Sequence, residues 1–145
     1  YDLRPGYMEK HVWKLMEKYQ RVEDNEVRYE TTLVDDAEIL IVAYRTCSRI
    51  SKEALALGRK ENIKIGLLRP ITLWPFPTEK VQELAKNVKQ YLVFEMNMGQ
   101  MIEDVQLALE GKGEVAFYGR PGGVIPTPSE VQRVISRIYH QKGLK

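Results

Sequence analysis

Cysteine is almost missing from this chain: Cys47 is the only one in 145 residues. A lone thiol excludes an internal disulfide, a four-cysteine zinc site and an iron–sulfur cluster ligated by this chain alone. It also points to a reducing, cytoplasmic compartment. Histidine is nearly as scarce, and His11 and His140 lie in opposite terminal segments without metal-ligand spacing. Both read as solvated helix-face residues. No apolar run approaches the ~20 residues of a membrane-spanning helix, and no signal peptide opens the sequence. There is no GxGxxG after a strand and no GxxxxGK followed by Ser or Thr, so the dinucleotide and nucleotide-triphosphate fingerprints are lacking. Charge of one sign is lacking too. Twenty-two Lys and Arg against 20 Asp and Glu leave +2, with lysines and glutamates interleaved and no basic stripe for nucleic acid.

What remains is an ordinary soluble composition, 43% apolar and 29% charged, at a length typical of one domain. The sequence begins at Tyr1 and not at a methionine, and residues 1–20 form a charged helical lead-in with no strand before it. Together these suggest a piece of a longer polypeptide. Helical spacing of Val12, Leu15, Met16 and Tyr19 makes one apolar stripe over 5–20, and the charge run 21–26 predicts a break. We therefore divide the chain into a lead-in and linker, 1–26, and a domain, 27–145.

Residues 27–34 alternate in polarity and predict an edge strand with one face exposed. Apolar runs at 38–44, 63–68, 91–94 and 114–117 predict four core strands. Helices follow at 48–60, 79–88 (capped by Thr78), 99–109 and after Ser129, the predicted cap of the last. Strand then helix, four times over, gives parallel strands with helices on both faces. The first strand is joined to the second by a turn at Asp35 and Asp36, too short for a parallel return, so it runs antiparallel. The expected fold is a three-layer α/β/α domain.

Candidate site residues fall at the carboxyl ends of the strands, where open α/β sheets bind ligands and partners. LRPITLWPFP (68–77) offers Arg69 and Trp74 on a proline-stiffened loop, and EMNMGQ (95–100) offers Glu95, Asn97, Gly99 and Gln100. Glu95 reads equally as an acid, base or cofactor clamp and as a group tying down its own loop. Thr46, Cys47 and Ser48 open a helix, which gives Cys47 some thiolate character. No histidine lies nearby as its base, and the alternative is a Thr46 or Ser48 cap with Cys47 packed as a small apolar residue. Arg45 is a large cation where a tight strand-to-helix turn often takes glycine. The glycine-rich loop 119–123 around Arg120 reads as a tight connection or an anion cradle.

The blocks EILIVAYRTCSRISKEA (38–54), IGLLRPITLWPFP (65–77), EMNMGQMIEDV (95–105) and FYGRPGGVIPTP (117–128), in this order, resemble the alpha subunit of 2-oxoacid:ferredoxin oxidoreductases. The likeness is to its carboxyl-terminal, transketolase-C-like domain and extends over nearly the whole chain, with the 2-oxoglutarate and 2-oxoisovalerate enzymes most similar. It implies a five-stranded, mostly parallel sheet in the order 1-3-2-4-5 with an antiparallel first strand. That order places a crevice between Thr46–Ser48 and Glu95–Gln100. The resemblance further implies an oligomeric enzyme that decarboxylates a 2-oxoacid oxidatively to an acyl-coenzyme A and passes electrons to ferredoxin. Thiamine diphosphate, magnesium and iron–sulfur clusters would do that chemistry. The family's GDG…N motif for thiamine diphosphate and magnesium is absent here, so by resemblance those sites belong to other domains, to a beta subunit or to a cluster-bearing subunit. The family commonly has glycine where this chain has Arg45. Three roles follow as expectations: an assembly domain, an anion or coenzyme A module using Arg45, Arg69 and Arg120, and a Cys47 hydrolase.

Overall fold

Five consecutive apolar residues in β2 (Ile39–Ala43) are all buried, which requires helices on both faces of a central strand. A computed structural model describing residues 4–141 and 143 shows this arrangement. A lead-in helix, α1 (Tyr7–Asn25), precedes β1 (Tyr29–Thr32), β2, α2 (Arg45–Lys60), β3 (Ile65–Pro70) and α3 (Thr78–Leu84). Then come β4 (Gln90–Glu95), α4 (Met101–Leu109), β5 (Glu114–Gly119) and α5 (Pro128–Gln141). The sheet order is β1-β3-β2-β4-β5, with β1 antiparallel to β3 and the rest parallel. Fold class and strand order are as expected.

Alternation along the strands sorts the core into two layers. Leu40, Val42, Tyr91 and Val93 pack with α3 and α4 on one face. Ile39, Ile41, Leu92 and Phe94 pack with α2 and α5 on the other. β1 is the exposed edge predicted for it. β5 is the other edge and only half-buried, contrary to the core strand expected at 114–117. Its apolar run is too short to distinguish the two positions.

The β1–β2 connection crosses the start of β3 rather than forming a hairpin. Gly66 permits the crossing, because a Cβ there would sit 3.0 Å from both the Leu33 carbonyl oxygen and the Ala37 Cβ. Arg59 fastens it. Its guanidinium donates to the Leu33 and Ile65 carbonyls, each at 2.9 Å, and to both Asp36 carboxylate oxygens at 2.7 Å. The Arg59 hydrogen bond lowers the Asp36 pKa below its ordinary value. A depressed carboxylate pKa contributes stability above the unfolded pKa, about 3.9, and loses it as pH falls through the folded value. Arg59→Ala is therefore expected to destabilise the chain more at neutral pH than in acid. Urea melts at pH 6 and pH 3 check this, and an equal difference between variant and parent at both values contradicts it.

Several helix ends differ from expectation. α1 continues through the charge run to Asn25, held by a Gln20–Asp24 hydrogen bond and by Asn25 on the Arg21 carbonyl. Lys, Arg and Glu are good helix formers, so charge alone did not break it. α3 has Pro77 at its cap position, without a side-chain cap bond, and Thr78 as its first residue. The helix ends at Leu84, short of the expected Val88, yet Val81 and Leu84 on it and Ala85 and Val88 in the connection that follows are all buried as predicted. Thr127, not Ser129, caps α5: the Glu130 amide donates to Thr127 Oγ1, and the Thr127 amide donates to Glu130 Oε2. This is a capping box with Pro128 at the first helical position.

Candidate functional site

Glu95 ends β4 with no exposed surface, and α4 begins six residues later. Its carboxylate accepts from the backbone amides of Gln100 (3.2 Å), Met101 (3.0 Å) and Ile102 (3.1 Å), and from Asn97 Nδ2 (3.0 Å). A buried anion thus sits on the positive end of a helix whose own cap residue supplies no side-chain bond. Four donors occupy the roughly four acceptor positions of a carboxylate. Of the two readings open for Glu95, the structure supports the tie-down and leaves no free lone pair for a base or clamp.

The rest of 95–100 serves the same turn. Asn97 Oδ1 accepts from the Gly99 amide at 2.8 Å. Gly99 has φ +104, and a Cβ there would press on Ile102 at 3.1 Å. Asn97 Nδ2 also lies 3.5 Å from the Tyr44 hydroxyl and 3.4 Å from Gln100 Oε1. Asn97 and Tyr44 therefore bridge the ends of β4 and β2, where the strand order reverses. Tyr44 belongs to this crevice although in the sequence it reads as the last residue of an apolar run. Burial, then the Glu95 charge, raises its hydroxyl pKa.

Across the crevice, neither Thr46 nor Ser48 caps α2. Thr46 is exposed, and Ser48 is buried with its hydroxyl donating to the Arg45 carbonyl at 2.7 Å. Arg45 has φ +48, the left-handed conformation that glycine adopts without penalty, so this turn keeps glycine geometry with an exposed arginine. Cys47 is buried, and burial followed by the Glu95 charge pushes its thiol up to about 11. This removes the nucleophile reading. Cys47 is expected to resist a disulfide exchange reagent at pH 8 and to react only on unfolding. Stoichiometric reaction within seconds in the native state contradicts it.

The three arginines do not converge. Arg69 pairs with Glu30 at 3.0 Å, its registered neighbour on β1. Arg120 follows β5 and pairs with Glu130 at 3.3 Å. β2 and β4 separate the two strands, which at strand spacing is on the order of 14 Å. Arg69 and Arg120 each already have a carboxylate and lie on separated strands, while Arg45 is exposed, so the three-arginine phosphate site is not formed. Trp74 stands apart again, 55% exposed and edge-on to Tyr19 of α1 with ring centroids 5.5 Å apart.

The family described as "Pyruvate:ferredoxin oxidoreductase core domain II" matches residues 37–131. The chain belongs to this family. As a core domain II it is 44% identical over 136 residues to the ketoisovalerate oxidoreductase subunit VorB of Methanothermobacter thermautotrophicus, covering 94% of this chain and 38% of that protein. It is 35% identical over 127 residues to the 2-oxoglutarate synthase subunit KorA of Methanothermobacter marburgensis, covering 88% and 34%. The chain spans little more than a third of the length of these curated relatives. Among solved structures it resembles the 2-oxoglutarate:ferredoxin oxidoreductase from Magnetococcus marinus with 2-oxoglutarate, coenzyme A and succinyl-CoA bound. That match has a TM-score of 0.75 and 20% identity over 94% of this chain and 24% of the other. A split-gene transketolase matches at TM-score 0.61 and 17% identity, over 74% and 40%. At these identities both show the fold, which is transketolase-like. Among the described residues, no helix is long and apolar enough to cross a membrane.

Proposed function

We propose that this chain is the assembly domain of the alpha subunit of a cytoplasmic, thiamine-diphosphate-dependent 2-oxoacid:ferredoxin oxidoreductase. The family match over residues 37–131 carries the reading. The strand-end crevice supports it, because Glu95 and Asn97 hold their own loop and α4. The residues here do not fit the enzyme's metal or clusters. Among the described residues no three His, Cys, Asp or Glu side chains group as metal ligands, and the single thiol is buried. Thiamine diphosphate, magnesium, clusters and coenzyme A belong in this reading to other domains of the alpha subunit, to the beta subunit and to a cluster-bearing subunit, with ferredoxin as electron acceptor. Thr46, Arg69, Trp74, Asn97, Gly99, Gln100 and Arg120 contribute a contact surface at the strand ends, whereas Ser48 and Glu95, expected there too, are buried and do not.

The chain alone is expected to reduce no viologen dye when given 2-oxoisovalerate or 2-oxoglutarate with thiamine diphosphate, magnesium and coenzyme A. The assembly containing it should do so with one of these acids. Turnover by the isolated chain, free of co-purified polypeptides, would overturn the reading.

A further inference from the structure

α1 is long, amphipathic and almost uncovered. None of its 19 residues is buried, and Val12, Trp13 and Met16 are each about half exposed or more. Amphipathic helices gain most of their stability from a packed apolar face. Here that face touches the domain through Tyr19 on Trp74, and a cleft of about 780 Å³ opens between the end of α1 and the 74–80 loop. Tyr19 lines an adjoining hollow that shares Trp74, and Tyr29, Trp74 and Phe76 are the aromatic lining of the groove itself. Its rim is acidic: Glu23 and Asp24 on α1 face Glu79 at the start of α3. Lys80 is the basic residue of the lining, and it is already paired with Glu83 at 2.8 Å. None of Glu23, Asp24 and Glu79 joins an ion pair among the described residues.

We infer that this groove receives a cationic, apolar-anchored segment of a different polypeptide of the assembly, with Lys or Arg side chains meeting the three carboxylates and an aliphatic or aromatic side chain packing against the exposed surface of the Tyr19–Trp74 pair. Charge complementarity selects this occupant. An acidic segment would add to uncompensated negative charge on both walls, and a purely apolar one would bury carboxylates without partners. Exposed aromatics on a stiff loop provide the anchor contact. The inference rests on the assembly reading above and names the partner chemistry at one of its surfaces.

Carbodiimide labelling of carboxylates in the intact assembly, purified through a tag on this chain, tests it without any substitution. At low salt Glu23, Asp24 and Glu79 are expected to label about tenfold more slowly than exposed Glu53 of α2, as carboxylates removed from water by a partner. The protection should fall in about 1 M salt, where the screening length shrinks to ~3 Å. The combined variant Glu23→Gln, Asp24→Asn, Glu79→Gln should weaken association about tenfold and flatten its salt dependence. If the assembly is active but the three carboxylates label like Glu53, the inference falls and the assembly reading stands. Protection insensitive to salt, or an assembly containing only copies of this chain, overturns the cationic partner. Recovery of the chain alone overturns both readings.

Discussion

Glu95→Ala is expected to destabilise the chain by about 3–5 kcal/mol, the largest single loss in the molecule outside the hydrophobic core. The substitution strips the acceptor from three backbone amides at the start of α4 and from Asn97. Each buried donor left unsatisfied costs about 1–3 kcal/mol, and some of that is recovered where water enters the gap. Glu95→Gln keeps the shape and one acceptor oxygen but turns an amino group toward backbone donors, so about half the loss is expected. Urea unfolding reads both variants. A loss below ~1 kcal/mol for Glu95→Ala would mean that α4 begins adequately without it.

Trp74→Ala should separate stability from assembly. Its ring is more than half exposed and, among the described residues, makes one ring contact, with Tyr19. The isolated domain is expected to lose about 1 kcal/mol, the scale of an aromatic pair. A tryptophan closed in by a core would instead cost ~3–5 kcal/mol. Association with the rest of the enzyme should weaken by about 2 kcal/mol, roughly 30-fold, as for an interface anchor residue. Urea melts and gel-filtration titrations on the same variant supply both numbers. A large stability loss with unchanged association would remove Trp74 from the contact surface.

Much of the fold was legible because the signals are local. The run Ile39–Ala43 demands burial on both faces, the short link after β1 forbids a parallel return, and Val81, Leu84, Ala85 and Val88 face inward at helical spacing. The capping box at Thr127 and Glu130 is equally legible in the sequence, but Ser129 lies nearer the apolar periodicity and competes with it as a cap. What depends on strand order or chain direction was less accessible from residues alone. Arg69 and Arg120 look alike as strand-end cations until β2 and β4 are placed between them. Glu95 remained ambiguous because spacing does not reveal that the amides of α4 turn back toward it. The α1 stripe was visible as a pattern, but periodicity cannot say what covers an apolar face, and in this chain most of it is open.

The most direct measurement is native mass spectrometry of the material recovered through a tag on this polypeptide in its own host, combined with a 2-oxoacid-dependent viologen assay. The account predicts a stoichiometric assembly with polypeptides carrying thiamine diphosphate and iron–sulfur clusters, active on a 2-oxoacid. The tagged polypeptide recovered alone, or in an assembly without 2-oxoacid activity, would contradict it.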